Sequence, residues 1–196
     1  MPRLPAFEFP DFRRFVTARF LTLASQQMLL VAVSQAVFEL THSPLHLGYI
    51  GLALFFPKIG FSLLAGHTAD RFDRRGVILV CRLAQLLAVV GLIISFSAAP
   101  QNLTILYSLL VLLGTANAFD GPASQSIVTQ LVPPEKFGKA VAWNSSVMQM
   151  AFITGPALGG WFYALSGRVV FVLAIVALLR LGSVWFVARI HPRTDH

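Results

Sequence analysis

Six long apolar stretches, at approximately 15–38, 46–65, 77–98, 103–130, 139–165 and 169–189, constrain this chain more than anything else in it. Each is close to the ~20 residues that an α-helix needs to cross a hydrocarbon core. Inside lipid only helices and closed barrels satisfy every backbone N–H and C=O. A barrel would show segments of about ten residues alternating in polarity, and the chain shows none. The pattern predicts an all-α membrane protein with six transmembrane helices. Composition agrees, with 56% of residues hydrophobic, 12% charged and a mean hydropathy of +0.73, whereas about a quarter of a soluble domain is charged.

Lysine and arginine then orient the bundle, because short loops rich in them stay in the cytoplasm. Arg3, Arg13 and Arg14 precede the first stretch, and Arg71, Arg74 and Arg75 separate the second from the third. Lys136 and Lys139 separate the fourth from the fifth, and Arg189 and Arg193 follow the sixth. The opposite loops, 39–45, 99–102 and 166–168, hold only Arg168. Six spans with both termini cytoplasmic make a multi-pass protein of the inner or plasma membrane. The net charge of +7 follows from this arrangement of membrane-edge cations, so no nucleic-acid partner is implied. Residues 1–12 read as a cytoplasmic or interfacial segment in which Phe7, Glu8, Phe9 and Asp11 mix aromatic and acidic character, 13–190 as the helical body, and 191–196 as the start of a linker or tail.

Turn chemistry agrees with the spans. Thr41 to Pro44, Ala98 to Asn102 and Ser166 to Arg168 break the hairpins, and Pro133 to Lys136 ends the fourth helix and opens the fifth. The first stretch is too long for a cleavable signal and lacks a small-residue cleavage site, so it is expected to remain as a helix. Cys81 is the lone cysteine, a packing residue, and no His or Cys cluster has metal-site spacing. No cofactor is expected.

The charged hinge Gly66 to Arg75 sits between two apolar stretches. Gly66 is expected to allow a tight helix end, Asp70 to cap or stabilise a neighbouring helix N-terminus, and Arg71, Arg74 and Arg75 to meet carboxylates, helix C-termini or lipid headgroups. In the fifth stretch Ala151, Gly155 and Gly159 recur at i, i+4, i+8, a face that lets another helix approach closely. Pro156 removes a backbone hydrogen bond there and invites a kink, and Gly160 follows. In the fourth stretch Asn117, Asp120, Gly121 and Ser124 fall on one face, a polar stripe that should turn away from lipid.

The hinge resembles the loop between helices two and three of the major facilitator superfamily, on Gly66, Asp70, Arg71, Arg74 and Arg75, with Asp73 where that family usually has glycine. Gly155, Pro156, Gly159 and Gly160 resemble the motif in helix five of its antiporter branch, with Ala151 in place of the first glycine. Phe119 to Ala123, Val132 to Glu135 and Ala142 to Ser145 are similar to the subgroup of bacterial siderophore and macrolide exporters. The resemblance implies the N-terminal six-helix half of a secondary transporter that exports a small molecule by alternating access, coupled to an ion gradient. It makes Gly66 to Arg75 a cytoplasmic gating latch, with helices one, two, four and five bordering the substrate and helices three and six at the periphery. Two three-helix inverted repeats would build the half. A second half, in the same full-length chain or a second copy, is then the expected partner. This chain reads as partial, the alternatives being a half-size homodimeric transporter and a non-transporting membrane scaffold. An intramembrane enzyme using His67 and Asp70 lacks a nucleophile, metal cluster or paired carboxylates, and no phosphate-binding loop appears.

Within the spans, Asp120, Asn117, Lys58 and Gln27 are the candidate cavity residues. Asp120 either borders the cavity or partners a nearby basic group. Lys58 either pairs with Asp120 or reaches back to the cytoplasmic edge. Gln26, Gln27, Ser34 and Gln35 in the first helix, and Asn144 and Gln149 in the fifth, bond either substrate or neighbouring helices. Arg19 and Arg82 are expected to snorkel, while Arg180 needs a partner that the sequence does not identify.

Overall fold

The computed structural model describes residues 9–98 and 102–190, with the side chains of residues 69 and 70 outside that set. Eight α-helices are formed among them: α1 (Pro10–Thr41), α2 (Pro44–Gly60), α3 (Ser62–Arg71), α4 (Arg74–Ser97), α5 (Leu103–Ser126), α6 (Val128–Leu131), α7 (Phe137–Ser166) and α8 (Val169–Ala188). A 3-10 turn, Pro134–Lys136, introduces α7. The described residues contain no strand.

α1, α4, α5 and α8 are each long and apolar enough to cross a membrane. α2 and α3 together make a fifth such rod, bent by 56° at their break. The single span expected over 46–65 is thus a broken one. Pro57 lacks the N–H that would bond the Ala53 carbonyl, and Phe61 closes α2 by donating to the Pro57 carbonyl at 2.9 Å. α7 has the length, 30 residues, but Asn144, Ser145, Ser146, Gln149 and Thr154 dilute its apolar character, and it is not among the five.

The hinge is shorter than the sequence suggests. α3 runs through Gly66 to Arg71, so Gly66 does not end a helix, and the turn is confined to Phe72 and Asp73. Asp73 begins α4 as its N-cap, its carboxylate accepting from the Gly76 N–H at 2.8 Å. Asp73 thus caps α4, and the role expected of Asp70 lies outside the described residues, as its side chain is not among them. At the opposite end, His42 and Gly167 adopt left-handed φ values of 49° and 62° and close α1 and α7. Pro44 then starts α2 at a position where a missing N–H costs nothing.

Packing follows one scheme. α1 lies against α7 and α8, α5 lies against α4 and the α2/α3 rod, and α4 lies against α8. Exchanging α1 with α5, the α2/α3 rod with α7, and α4 with α8 maps this set of contacts onto itself. The core has two apolar parts. One, toward the hairpin ends, centres on Met28, Leu29, Val33, Leu92, Leu110 and Val176. The other, toward the arginine-bearing turns, centres on Phe12, Phe15, Ile78, Ala123, Leu131 and Val187. A polar layer lies between them.

Candidate functional site

α1, α4, α5 and α8 each turn polar side chains into that layer. Arg82 of α4 is 1% exposed, and its Nε donates to Asp120 Oδ1 of α5 at 3.4 Å. Arg82 Nη1 also donates to Ser183 Oγ of α8. Ser183 Oγ lies 2.7 Å from Thr22 Oγ1 of α1, and both hydroxyls are 3.0 Å from the Ala18 carbonyl oxygen. One turn further along, Arg180 donates to Gln85 Oε1 and to Gln26 Oε1, each at 2.6 Å. Gln85 in turn donates to Asn117 Oδ1 at 2.9 Å. Ser124 Oγ completes the shell around Asp120 at 3.4 Å. Four rods are thereby joined by side-chain bonds at the level where lipid-exposed charge would be most costly, at least about 2.5 kcal/mol per group.

Asp120 is paired with Arg82, not with Lys58, which is exposed on α2. Geometry decides this: Arg82 faces α5 across the tight α4·α5 contact, whereas Lys58 points out of the bundle. Arg82 and Arg19, expected to snorkel, are buried at 1% and 8% exposure. Arg180 gains the partners that its depth required, two glutamine carbonyl oxygens. Around one carboxylate the layer gathers three guanidiniums, and Arg82 Nη2, Arg19 Nε and Arg180 Nε have no hydrogen-bond partner. Asn117 is half-buried against Gln85, and Gln27 is half-buried where α1 meets α7. Sequence reasoning missed Gln85, Thr22 and Ser183.

At the basic end, arginines satisfy helix C-terminal carbonyls, the groups that a helix leaves without partners. Arg74 Nη1 donates to the Ser126 carbonyl of α5 at 3.0 Å. Arg75 donates to the Ala188 carbonyl at the end of α8, and Arg14 to the Arg189 carbonyl at 2.8 Å. Arg71 is exposed. Arg189 itself lies over the Trp185 ring, 3.9 Å from its centroid.

The glycine face of α7 meets α1 directly. A Cβ on Gly155 would lie 2.6 Å from the Gln27 Cβ, and one on Gly159 would lie 2.8 Å from the Met28 Cα. Gly160 is at the edge, with its nearest neighbour, Val31 Cγ1, at 4.0 Å. The helix runs through Pro156 without a break. A matching seam that sequence reasoning did not single out joins α5 to α2. A Cβ on Gly114 would lie 2.8 Å from the carbonyl oxygens of Ala53 and Leu54, the first being the one that Pro57 leaves without its intrahelical donor. At the hairpin end each seam carries one tyrosine: Tyr107 of α5 lies 2.8 Å from His46 Nδ1 of α2, and Tyr163 of α7 donates to Glu39 Oε2 of α1 at 2.7 Å.

Four helices bolted together by polar side chains, with α2 and α7 packed on glycine seams, suit a membrane carrier. The family model described as Major Facilitator Superfamily matches residues 15–196. The chain belongs to the major facilitator superfamily. Among its relatives, enterobactin exporter EntS of Salmonella typhi is 28% identical over 187 residues, 88% of this chain and 44% of that protein. Macrolide efflux protein A of Streptococcus pyogenes is 26% identical over 165 residues, 83% of this chain and 39% of that protein. The uncharacterized MFS-type transporter YkuC of Bacillus subtilis is 27% identical over 180 residues, 87% of this chain and 41% of that protein. The chain thus spans less than half the length of these relatives. The resemblance to this family is borne out, including the likeness to siderophore and macrolide exporters.

Proposed function

We propose that the chain forms one lobe of a secondary transporter that exports a drug, siderophore or metabolite by alternating access, driven by an ion gradient. The observation that carries this reading is likeness to proteins named for exporting a macrolide and enterobactin, extending over 83% and 88% of the chain. α7 supports it: Ser145, Ser146 and Gln149 are exposed on a helix otherwise rich in apolar residues, a face suited to a wet path rather than to lipid.

In this reading α7 is the sixth span, the basic end faces the cytoplasm and the host is the cell membrane. Gly66, Asp70, Arg71, Arg74 and Arg75 belong to a latch at the cytoplasmic mouth. Gln27 and Lys58 border the path, while Asn117 and Asp120 fix its wall from behind. Gly155, Pro156, Gly159 and Gly160 hold α7 against α1. The partner is a second six-helix lobe, in one longer chain or as a second copy. The chemistry is transport, with no enzymatic step.

Accumulation of radiolabelled erythromycin and enterobactin in an efflux-deficient bacterium tests this. Cells producing the chain joined to a relative's C-terminal lobe should accumulate less of one probe, and an uncoupler should abolish the difference. Equal accumulation of both probes, with the fusion demonstrably in the membrane, counts against export. Lowered accumulation by the chain alone would favour the homodimer.

A further inference from the structure

At the hairpin end, α1, α4, α7 and α8 line a cavity of about 680 Å³ that opens widely to the bundle surface. Its walls are mainly apolar, with Leu40, Phe96 and Phe171 among them, and it also holds two charges of opposite sign, Glu39 and Arg168. The Glu39 carboxylate is held in place by Gln35 Nε2 at 2.9 Å and Tyr163 OH at 2.7 Å. Arg168 is exposed and forms no ion pair among the described residues. The two charges therefore face the same cavity without neutralising one another.

An apolar wall with an anion and a cation fixed beside it matches a zwitterionic amphiphile. For a helix bundle in a membrane, that amphiphile is a phospholipid of the adjoining leaflet. Hydrogen bonding narrows the headgroup. A carboxylate accepts up to about four hydrogen bonds, and Glu39 uses two, one on each oxygen. A primary ammonium supplies three N–H donors to such a group, whereas a trimethylammonium supplies none. We infer that this cavity binds one phosphatidylethanolamine molecule, its ammonium on Glu39, its phosphate on Arg168 and an acyl chain along Leu40, Phe96 and Phe171. The inference needs the membrane setting and is independent of transport.

The test uses the delipidated chain in detergent, titrated with dioleoyl phosphatidylethanolamine, phosphatidylcholine and phosphatidylglycerol and read by native mass spectrometry. Phosphatidylethanolamine should bind about tenfold more tightly than phosphatidylcholine, the size of one charge-assisted hydrogen bond. Glu39→Gln should remove that preference while leaving phosphatidylcholine binding unchanged, and Glu39→Asp should retain part of it. Arg168→Gln should weaken both lipids. Glycerophosphoethanolamine, which lacks acyl chains, should not bind measurably. Equal affinity for the two zwitterionic lipids, a preference that survives Glu39→Gln, tighter phosphatidylglycerol binding, or binding of the chainless headgroup at the lipid's affinity would each overturn the inference. Both substituted residues are exposed, and the Glu39→Asp variant keeps a carboxylate in a folded bundle.

Discussion

At the scale of single residues, the decisive group is Asp120. It is the one carboxylate among three buried guanidiniums, from Arg19, Arg82 and Arg180, and its charge attracts Arg19 and Arg180 as well as its bonded partner. Removing one member of a buried pair leaves the other uncompensated and costs roughly 3–5 kcal/mol. Arg82→Gln should fall in that range, and Asp120→Asn should be the more damaging of the two because it leaves three cations without an anion. Unfolding in detergent by added SDS, followed by circular dichroism, measures the order. A double change to Arg82→Met with Asp120→Leu should recover only part of the Asp120→Asn loss, since it removes one unpaired cation but leaves Arg19 and Arg180 without their anion. The reverse order for the two single changes would mean that Arg19 and Arg180 are compensated elsewhere.

This layer was partly legible. Buried positions from α5 into α6 include Leu106, Leu110, Leu113, Asp120, Ser124, Ile127 and Leu131, alternating steps of four and three once half-buried Asn117 is added, and the polar stripe of Asn117, Asp120 and Ser124 lies within that register. The same spacing runs on α4 through Ile78, Arg82, Gln85, Val89, Leu92 and Phe96, and on α8 through Leu173, Val176, Arg180, Ser183 and Val187. Heptad-like spacing places a residue in the core whatever its polarity. Arg82 and Gln85 were therefore marked as interior by their register. An arginine near a span end reads as a snorkelling residue by composition alone, and that reading concealed the register. Which charged residue on one helix meets which on another depends on helix rotation, so the Arg82–Asp120 pair was not available from spacing.

At the scale of elements, two seams rest on glycine and differ from the polar seams in what they tolerate. Gly155→Ala, Gly159→Ala and Gly114→Ala each force a methyl group into backbone or a Cβ closer than 3.0 Å, and each should cost about 1–3 kcal/mol by overpacking. Gly160→Ala and Gly121→Ala meet no atom closer than 4.0 Å and should be neutral within about 0.5 kcal/mol. Thermal unfolding of the five variants in one detergent separates the sets, and a loss at Gly160 equal to that at Gly155 would remove the seam as the cause. The α7 seam was readable from its repeat of small residues. The α5 seam was not, because Gly114 stands alone and its role arises from the carbonyl that Pro57 frees on a different helix. The α2/α3 break escaped notice for a related reason: Gly60 and Phe61 interrupt no hydrophobic run.

At the scale of the whole molecule, apolar length and positive residues predict where the two ends of the bundle lie. Arg168→Cys in a Cys81→Ser background should react with a membrane-impermeant maleimide in intact cells, and Phe72→Cys should react only after lysis. Both positions are exposed, whereas native Cys81 is 7% exposed and gives little background. Labelling of Phe72→Cys in intact cells would invert the proposed orientation. Of the six spans read from the sequence, four single helices and the bent α2/α3 pair are long and apolar enough to cross a membrane among the described residues. α7 falls short because Ser145, Ser146 and Gln149 interrupt its apolar run, although Ile153, Trp161 and Leu165 are exposed further along it.

The contact scheme has a mechanical consequence. α1, α4, α5 and α8 are bolted through the polar layer, whereas α2 and α7 meet their neighbours on glycine seams and are tied at the hairpin end by Tyr107 and Tyr163. A lateral load is therefore expected to displace α2 and α7 before the quartet loses its register, with those two phenols as the oarlocks.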